Sequence, residues 1–131
     1  MNRTAVACLL RKTKTGDTDL IEVLIVENED GSKYYPHTIM QTEETTTEAA
    51  TRAFFQACGL IIKSWDEIGS DKEYVFLSSE TVKALPDKWR VTTGDQVTEL
   101  VWLPLKETFA VRKEFVSAQS LLLEKGFTKK T

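Results

Sequence analysis

The single histidine of the chain lies in a short segment, Pro36-His37-Thr38, that could carry chemistry. An imidazole can donate a hydrogen bond to a phosphate or act as a general base. The spacing of the sequence assigns no acidic partner to His37, and a lone histidine in a loop is more often a polar surface residue. His37 is therefore a candidate ligand-binding residue for which both interpretations stay open.

Aromatic residues near this segment and further along the chain could stack on a nucleobase. Such stacking is worth about 1–3 kcal/mol per base. Packing in the core explains isolated aromatic residues equally well, and for Trp65 the core is the favoured interpretation. Together with His37, the candidate ligand-binding residues are Tyr34, Tyr35, Trp89 and Arg90.

Acidic residues precede and enter a predicted helix. Glu48 and Arg52 are spaced i, i+4, which pairs an acid with a base on one helix face, and Glu44 could reach the same guanidinium from the preceding loop. Glu43 and Glu44 could instead form a carboxylate pair for acid–base catalysis, but adjacent loop residues more often diverge. We therefore expect Glu44 and Arg52 to hold a loop in place.

The helix is predicted from its two ends and its apolar stripe. Thr45-Thr46-Thr47-Glu48 has the S/T-x-x-E form of a capping box. Gly59 stands where a left-handed residue ends a helix. These signals predict a helix over residues 46–58, and its apolar stripe of helical period consists of Ala49, Ala50, Ala53, Phe54 and Ala57.

Strands are predicted on both sides of this helix, over residues 5–11, 20–27, 74–77, 90–92 and 98–103. The first two should be joined by a loop that carries Lys12 and Lys14. A second helix is predicted over residues 112–125, with Leu121 and Leu123 widening an apolar face made by Phe115, Ala118 and Leu122. This order of elements predicts one α/β domain over residues 1–131.

Composition excludes several classes of protein. The chain has 131 residues and, with 17 Lys and Arg against 20 Asp and Glu, a formal net charge of −3. This charge gives no overall attraction to nucleic acid or anionic lipid, and no apolar run approaches the roughly 20 residues that cross a bilayer. Cys8 and Cys58 lack metal-ligand spacing. We therefore expect a cytoplasmic protein with buried thiols and no membrane partner.

The segment 36–60 resembles the Nudix box, the signature G-x5-E-x7-R-E-U-x-E-E-x-G-U of the Nudix hydrolases, in which U is aliphatic or aromatic. With Arg52 as the box arginine, the other matching residues are Glu44, Phe54, Gly59 and Leu60. The resemblance implies a Nudix-like α/β/α sandwich with a mixed sheet, a central box helix and a C-terminal helix. It also implies that Glu44 and Arg52 brace the loop against the helix.

The box departs from the family where its chemistry lies. Thr38 replaces the opening glycine, and the three glutamates that hold magnesium in the family fall on Ala53, Gln56 and Ala57. Positions i, i+3 and i+4 share one helix face, where carboxylates can converge on a hard cation. Two methyl groups and one amide stand there in this chain. We therefore expect no catalytic residue, no metal site and no cofactor.

Three functions stay open. The first is a pseudoenzyme of the Nudix fold that binds a nucleotide, a nucleoside-diphosphate derivative or RNA. The second is a pyrophosphohydrolase of such derivatives with a rebuilt magnesium site, for example from Glu43, Glu44, Asp95 or Glu99. The third is a structural module that binds a protein partner. The missing glutamates count against the second, and the choice between the first and the third stays open.

Overall fold

The computed structural model describes residues 3–16, 18–81, 85–105, 111 and 115–125. The helices are α1 (Thr46–Cys58) and α2 (Val116–Lys125), and the strands are β1 (Thr4–Thr15), β2 (Thr18–Glu27), β3 (Lys33–Tyr34), β4 (His37–Ile39), β5 (Asp66–Ser70), β6 (Tyr74–Glu80), β7 (Lys88–Thr93) and β8 (Gln96–Pro104). The strands form one mixed sheet in the order β5-β6-β1-β2-β8-β7, with β3 paired to β2 and β4 to β1. β1 and β6 run parallel, and the other described pairs are antiparallel.

The central strand β1 is buried on both faces. Successive side chains of a strand point to opposite faces, so a strand that is covered on both sides consists of continuous apolar residues. One face of the sheet packs against α1 and the other against α2. In β1 the first set is Ala5, Ala7 and Leu9, and the second set is Val6, Cys8 and Leu10. The resulting layers form the α/β/α sandwich that the resemblance to the Nudix family implies.

Helix α1 begins and ends where its sequence signals indicate. Thr45 Oγ1 accepts from the Glu48 amide at 3.1 Å, and Glu48 Oε1 accepts from the Thr45 amide at 2.9 Å, so the capping box is complete. Gly59 adopts a φ of 75°, which glycine tolerates without steric cost, and its amide donates to Phe55 O at 2.8 Å. The prediction of a helix over residues 46–58 is confirmed.

Helix α2 covers the second face of the sheet with a narrower apolar stripe than the sequence predicts. Phe115, Ala118 and Leu122 are buried, whereas Leu123 is 52% exposed. Leu121 is half-buried and packs directly on Gly69 of β5. A larger residue than glycine would clash there, because its Cβ would lie only 2.8 Å from Leu121 Cδ1. The first residues of the predicted helix, 112–114, lie outside the described residues.

Short strands account for most of the differences from the prediction. His37 lies in β4, which pairs with the start of β1, and so it does not lie in a loop. The strand β5 was not predicted because Ile68 is its only buried residue. β1 and β2 are longer than predicted, which places Lys12 and Lys14 in a strand and not in a loop. β4 is stabilised by pairing with the distant β1, which a local sequence pattern does not contain, whereas the extensions of β1 and β2 pair with each other across a tight turn and β5 pairs with the neighbouring β6.

Both cysteines are buried free thiols, as predicted. Burial raises the pKa of Cys58 to about 12 and raises that of Cys8 as well, because desolvation disfavours the thiolate. Among the helices that the structure describes, none has the length and apolar content needed to cross a membrane.

Candidate functional site

Arg52 joins α1 to the loop that precedes it. Its Nε and Nη2 donate to the two carboxylate oxygens of Glu44, at 3.0 and 2.9 Å. Nη1 donates to Thr38 Oγ1 at 3.0 Å, and Nη2 also donates to Ile39 O at 2.9 Å. We call this set of contacts, made by Arg52 with Glu44, Thr38 and Ile39, the brace. A planar guanidinium suits such a bidentate contact with a carboxylate.

The acidic end of the brace is held from two directions. Glu44 Oε1 also accepts a hydrogen bond from the backbone N–H of Gln41 at 2.9 Å. The side chain of Glu44 is 11% exposed and that of Arg52 is 26% exposed, so water screens the pair only partly. The hydrogen bonds between them lower the pKa of Glu44 and raise that of Arg52. Glu43, in contrast, is exposed and adopts a φ of 67°.

Glu48 and Arg52, which the sequence predicts as an i, i+4 pair, are each engaged by other residues. The carboxylate of Glu48 completes the capping box, and the guanidinium of Arg52 is engaged by Glu44, Thr38 and Ile39. Sequence reasoning treated Thr38 only as a departure from glycine. In the structure its hydroxyl is one of the acceptors of the brace.

The resemblance to the Nudix box places the magnesium ligands on one face of α1, and this face offers few oxygen donors. Ala53 is buried, Ala57 is half-buried, and Gln56 is exposed. One neutral amide oxygen and two methyl groups do not fit a hard divalent cation, which prefers several carboxylate or carbonyl oxygens. The residues at these positions therefore do not suit the metal that the fold implies.

The residues proposed for a rebuilt metal site are engaged elsewhere or lie apart. Glu44 belongs to the brace, and Glu99 forms ion pairs with Arg90 at 3.3 Å and with Lys88 at 3.6 Å. Asp95 lies in the turn between β7 and β8. Within the described parts of the chain, no three His, Cys, Asp or Glu side chains form a group that could hold a metal ion.

Three adjoining cavities, which share lining residues, form a cleft around the start of β8, and the inner one lies beside the C-terminal half of α1. The inner cavity, of about 190 Å³, reaches Gln56 and Ala57. A middle cavity of about 490 Å³ shares Tyr34, Gln96 and Thr98 with it. An outer cavity of about 430 Å³ continues to Arg90 and Glu99. We refer to these three cavities together as the cleft.

Tyr34 and His37 form part of the wall of the cleft. Tyr34 Oη donates to Asn28 Oδ1 at 3.2 Å, and the rings of Tyr34 and His37 meet edge to face at 5.5 Å. His37 Nδ1 lies 2.8 Å from Tyr35 O. Because a carbonyl oxygen can only accept, Nδ1 carries the proton of this hydrogen bond. The His37 ring also contacts the ring of Phe115, with ring centroids 4.8 Å apart.

The remaining sequence candidates occupy different places. Tyr35 is completely buried on the α2 side of the sheet, so its ring cannot stack on a base in this conformation. Trp89 packs against the core cluster on the α1 side, and Arg90 is exposed at the outer cavity. Trp65 is a core residue as expected, with its Nε1 donating to Ile62 O at 2.7 Å.

Sequence reasoning missed Asn28, Gln96 and Thr98, which the structure brings to the wall of the cleft. Gln96 and Thr98 are spaced i, i+2 at the start of β8, so their side chains share one face of the strand. That spacing of polar residues was the available signal. The spacing of Gln96 and Thr98 does not indicate that α1 lies over the face of the sheet on which these two side chains stand.

No protein-family model matches the sequence, and no curated protein is found as a relative. Solved structures do match. A Nudix hydrolase from M. smegmatis, RenU, superposes with a TM-score of 0.71 at 18% identity, covering 96% of this chain and 86% of RenU. The NUDIX domain of Shewanella oneidensis NrtR, complexed with ADP ribose, gives a TM-score of 0.68 at 11% identity, covering 93% of this chain and 86% of the NrtR chain.

An ADP-ribose pyrophosphatase from Streptococcus suis gives a TM-score of 0.66 at 12% identity, covering 95% of this chain and 91% of that enzyme. Likeness at such low identity establishes the fold and leaves the activity open. The chain has the Nudix fold.

The brace predicts a specific loss of stability. Arg52→Ala should lower the free energy of unfolding by about 1–3 kcal/mol, because it leaves the partly buried Glu44 carboxylate and two further acceptors without their donor. Glu48→Ala should cost less, since it removes only one capping contact. The free energy is measured by denaturant unfolding. Arg90→Ala is the matched control: Arg90 is 73% exposed, so this change should have little effect. An Arg52→Ala variant as stable as the parent would contradict a structural role for the brace.

The same contacts predict a dependence on pH. The Arg52 guanidinium lowers the pKa of Glu44 below its ordinary value of 4.5, so near that pH the folded state binds fewer protons than the unfolded state. The contribution of the brace is therefore complete above pH 4.5 and is lost as the pH falls through the lower, folded-state pKa. The difference in unfolding free energy between the parent and Glu44→Gln should therefore become smaller as the pH falls from 4.5 through the folded-state pKa of Glu44. A difference that stays constant from neutral to strongly acidic pH would contradict the pairing.

Proposed function

We propose that this chain is a non-catalytic binding protein of the Nudix fold, which holds a nucleotide or a nucleoside-diphosphate derivative in the cleft. The observation that carries the proposal is the combination of an intact brace with a helix face that has Ala53, Gln56 and Ala57 at the metal positions. The contacts that position the loop are retained, whereas the oxygen donors that would recruit magnesium are not. We also propose a cytoplasmic location, where Cys8 and Cys58 stay as free thiols.

The chemistry of hydrolysis explains why these positions matter. A bound divalent cation lowers the pKa of a water molecule, polarises the phosphoryl oxygen and offsets charge in the transition state. A neutral amide at Gln56 cannot replace the carboxylates that would concentrate the cation at this face. The chain's own residues can bind and orient a ligand in the cleft, through Tyr34, His37 and Thr98, without that step.

Structural neighbours support the ligand class. The NrtR domain is described in complex with ADP ribose, and the Streptococcus suis protein is described as an ADP-ribose pyrophosphatase. Both have the fold of this chain. A nucleoside-diphosphate derivative is therefore the first ligand class to test, and RNA is the second.

An exposed apolar groove on α1 favours a second candidate, a protein-interaction module. Phe55 is 51% exposed and Ile61 is 60% exposed, and both line a groove of about 540 Å³ together with the aliphatic part of Lys63. This groove and the cleft have no lining residue in common among the residues described. A protein that melts at the same temperature with every nucleotide would support this second candidate.

The proposal predicts binding without turnover. ADP-ribose, nucleoside triphosphates, dinucleoside polyphosphates and capped RNA should not be hydrolysed above background with magnesium present. A ligand at 100 times its dissociation constant should raise the stability of the fold by about 2.7 kcal/mol, which thermal-shift measurements detect.

Both halves of this prediction can fail separately. Turnover that scales with protein concentration and disappears with EDTA would contradict the non-catalytic assignment and favour a rebuilt metal site. The absence of stabilisation by any nucleotide, nucleoside or oligoribonucleotide at millimolar concentration would contradict the binding assignment.

A further inference from the structure

The inner cavity of the cleft differs in chemistry from the other two. Its lining combines the amides of Gln56 and Gln96, the hydroxyl of Thr98 and the ring of Tyr34 with the apolar side chains of Val26 and Ala57. Among these described residues there is no Asp, Glu, Lys, Arg or His. We call this cavity, of about 190 Å³, the inner pocket.

The approach to the inner pocket is acidic. Glu29 and Asp30 line the middle cavity, and no Lys or Arg is among its described lining residues. Hydrogen bonds from the backbone and side chain of Ser32 lower the pKa of Asp30. In the outer cavity, Arg90 is already paired with Glu99. A diphosphate that enters the cleft therefore meets negative charge like its own. The described lining residues offer neither a basic cluster nor a metal site to offset the repulsion.

Neutral amides suit a different ligand group. Each amide presents a donor and an acceptor side by side, and the edge of a nucleobase presents the complementary pair. Gln56 extends from α1 and Gln96 from β8, so the two amides belong to different elements that line the same pocket. Tyr34 supplies an aromatic surface in that pocket, and the apolar side chains suit the planar body of a base.

We propose that the inner pocket binds the nucleobase of the ligand, with Gln56 and Gln96 as the residues that determine specificity. This inference rests on the proposed function and deepens it, because it places an uncharged group at the helix face where magnesium and a diphosphate would be expected. Affinity then comes from the base. The phosphates remain toward the acidic entrance and contribute little.

The test compares adenosine, guanosine, cytidine and uridine with their diphosphates by isothermal titration calorimetry on the full chain. For the base that binds best, the nucleoside should bind within about threefold of its diphosphate, and neither EDTA nor added magnesium should change its affinity. Added salt should also have little effect, since an uncharged ligand is not attracted by Coulomb forces.

Substitution of the amides gives the second readout. Gln96→Leu and Gln56→Leu should each weaken nucleoside binding about fivefold or more, the effect of losing one or two hydrogen bonds. Gln56→Glu keeps the shape of the side chain but removes its donor at neutral pH, and should weaken binding as well. Gln41→Leu is the matched control, because the Gln41 side chain is exposed and does not line the cleft among the described residues.

The outcomes separate this inference from the function on which it rests. A diphosphate that binds about tenfold tighter than its nucleoside, or only with magnesium, overturns the base pocket and leaves the binding function standing. Nucleoside affinity that is unchanged in all three amide variants also overturns it. If neither nucleosides nor nucleotides bind, the proposed function fails first and the inference fails with it.

Discussion

The contact between Arg52 and Glu44 is the constraint on which the rest of the site depends. One guanidinium on α1 binds both oxygens of a loop carboxylate, a side-chain hydroxyl of β4 and a backbone carbonyl. A side chain with this geometry fixes the distance and the direction between the helix and the segment 38–44 at once. Because β4 pairs with β1, the brace also ties α1 to the central strand of the sheet. Through β4 the brace also reaches the cleft, since His37, the neighbour of Thr38, lines the middle cavity.

Within the segment that resembles the Nudix box, the residues that hold the helix and its loop differ from those at the positions where the resemblance places the metal ligands. The brace, the capping box and the left-handed Gly59 hold the helix and its loop. The positions that would supply carboxylates carry methyl groups or an amide and make no contribution to the brace. A helix can keep its place while the chemistry of one face changes, since packing and capping involve other residues. Because Gln56 and Ala57 are uncharged, the inner pocket that they line is neutral, although the middle cavity of the cleft is acidic.

Local signals predicted α1 well because its start, its apolar stripe and its end are all encoded within a short segment. The site was predicted less well. Tyr34 and Tyr35 look equivalent in the sequence, yet successive residues of an extended chain point to opposite sides. One therefore lines the cleft and the other is completely buried. Thr38, Gln96 and Thr98 gain their roles from contacts with elements far along the chain, which no local pattern contains.

The most direct test asks whether Ala53, Gln56 and Ala57 still occupy the geometry of a metal site. The triple change Ala53→Glu, Gln56→Glu, Ala57→Glu should destabilise the protein in EDTA, because crowded carboxylates repel and Ala53 is buried. Millimolar magnesium or manganese should restore stability in thermal melts, since a cation that binds only the folded state stabilises it. The parent, and a Phe55→Glu control with a charge at an exposed position of the same helix, should not respond to metal. A triple variant that melts at the same temperature with EDTA and with either metal would contradict the account.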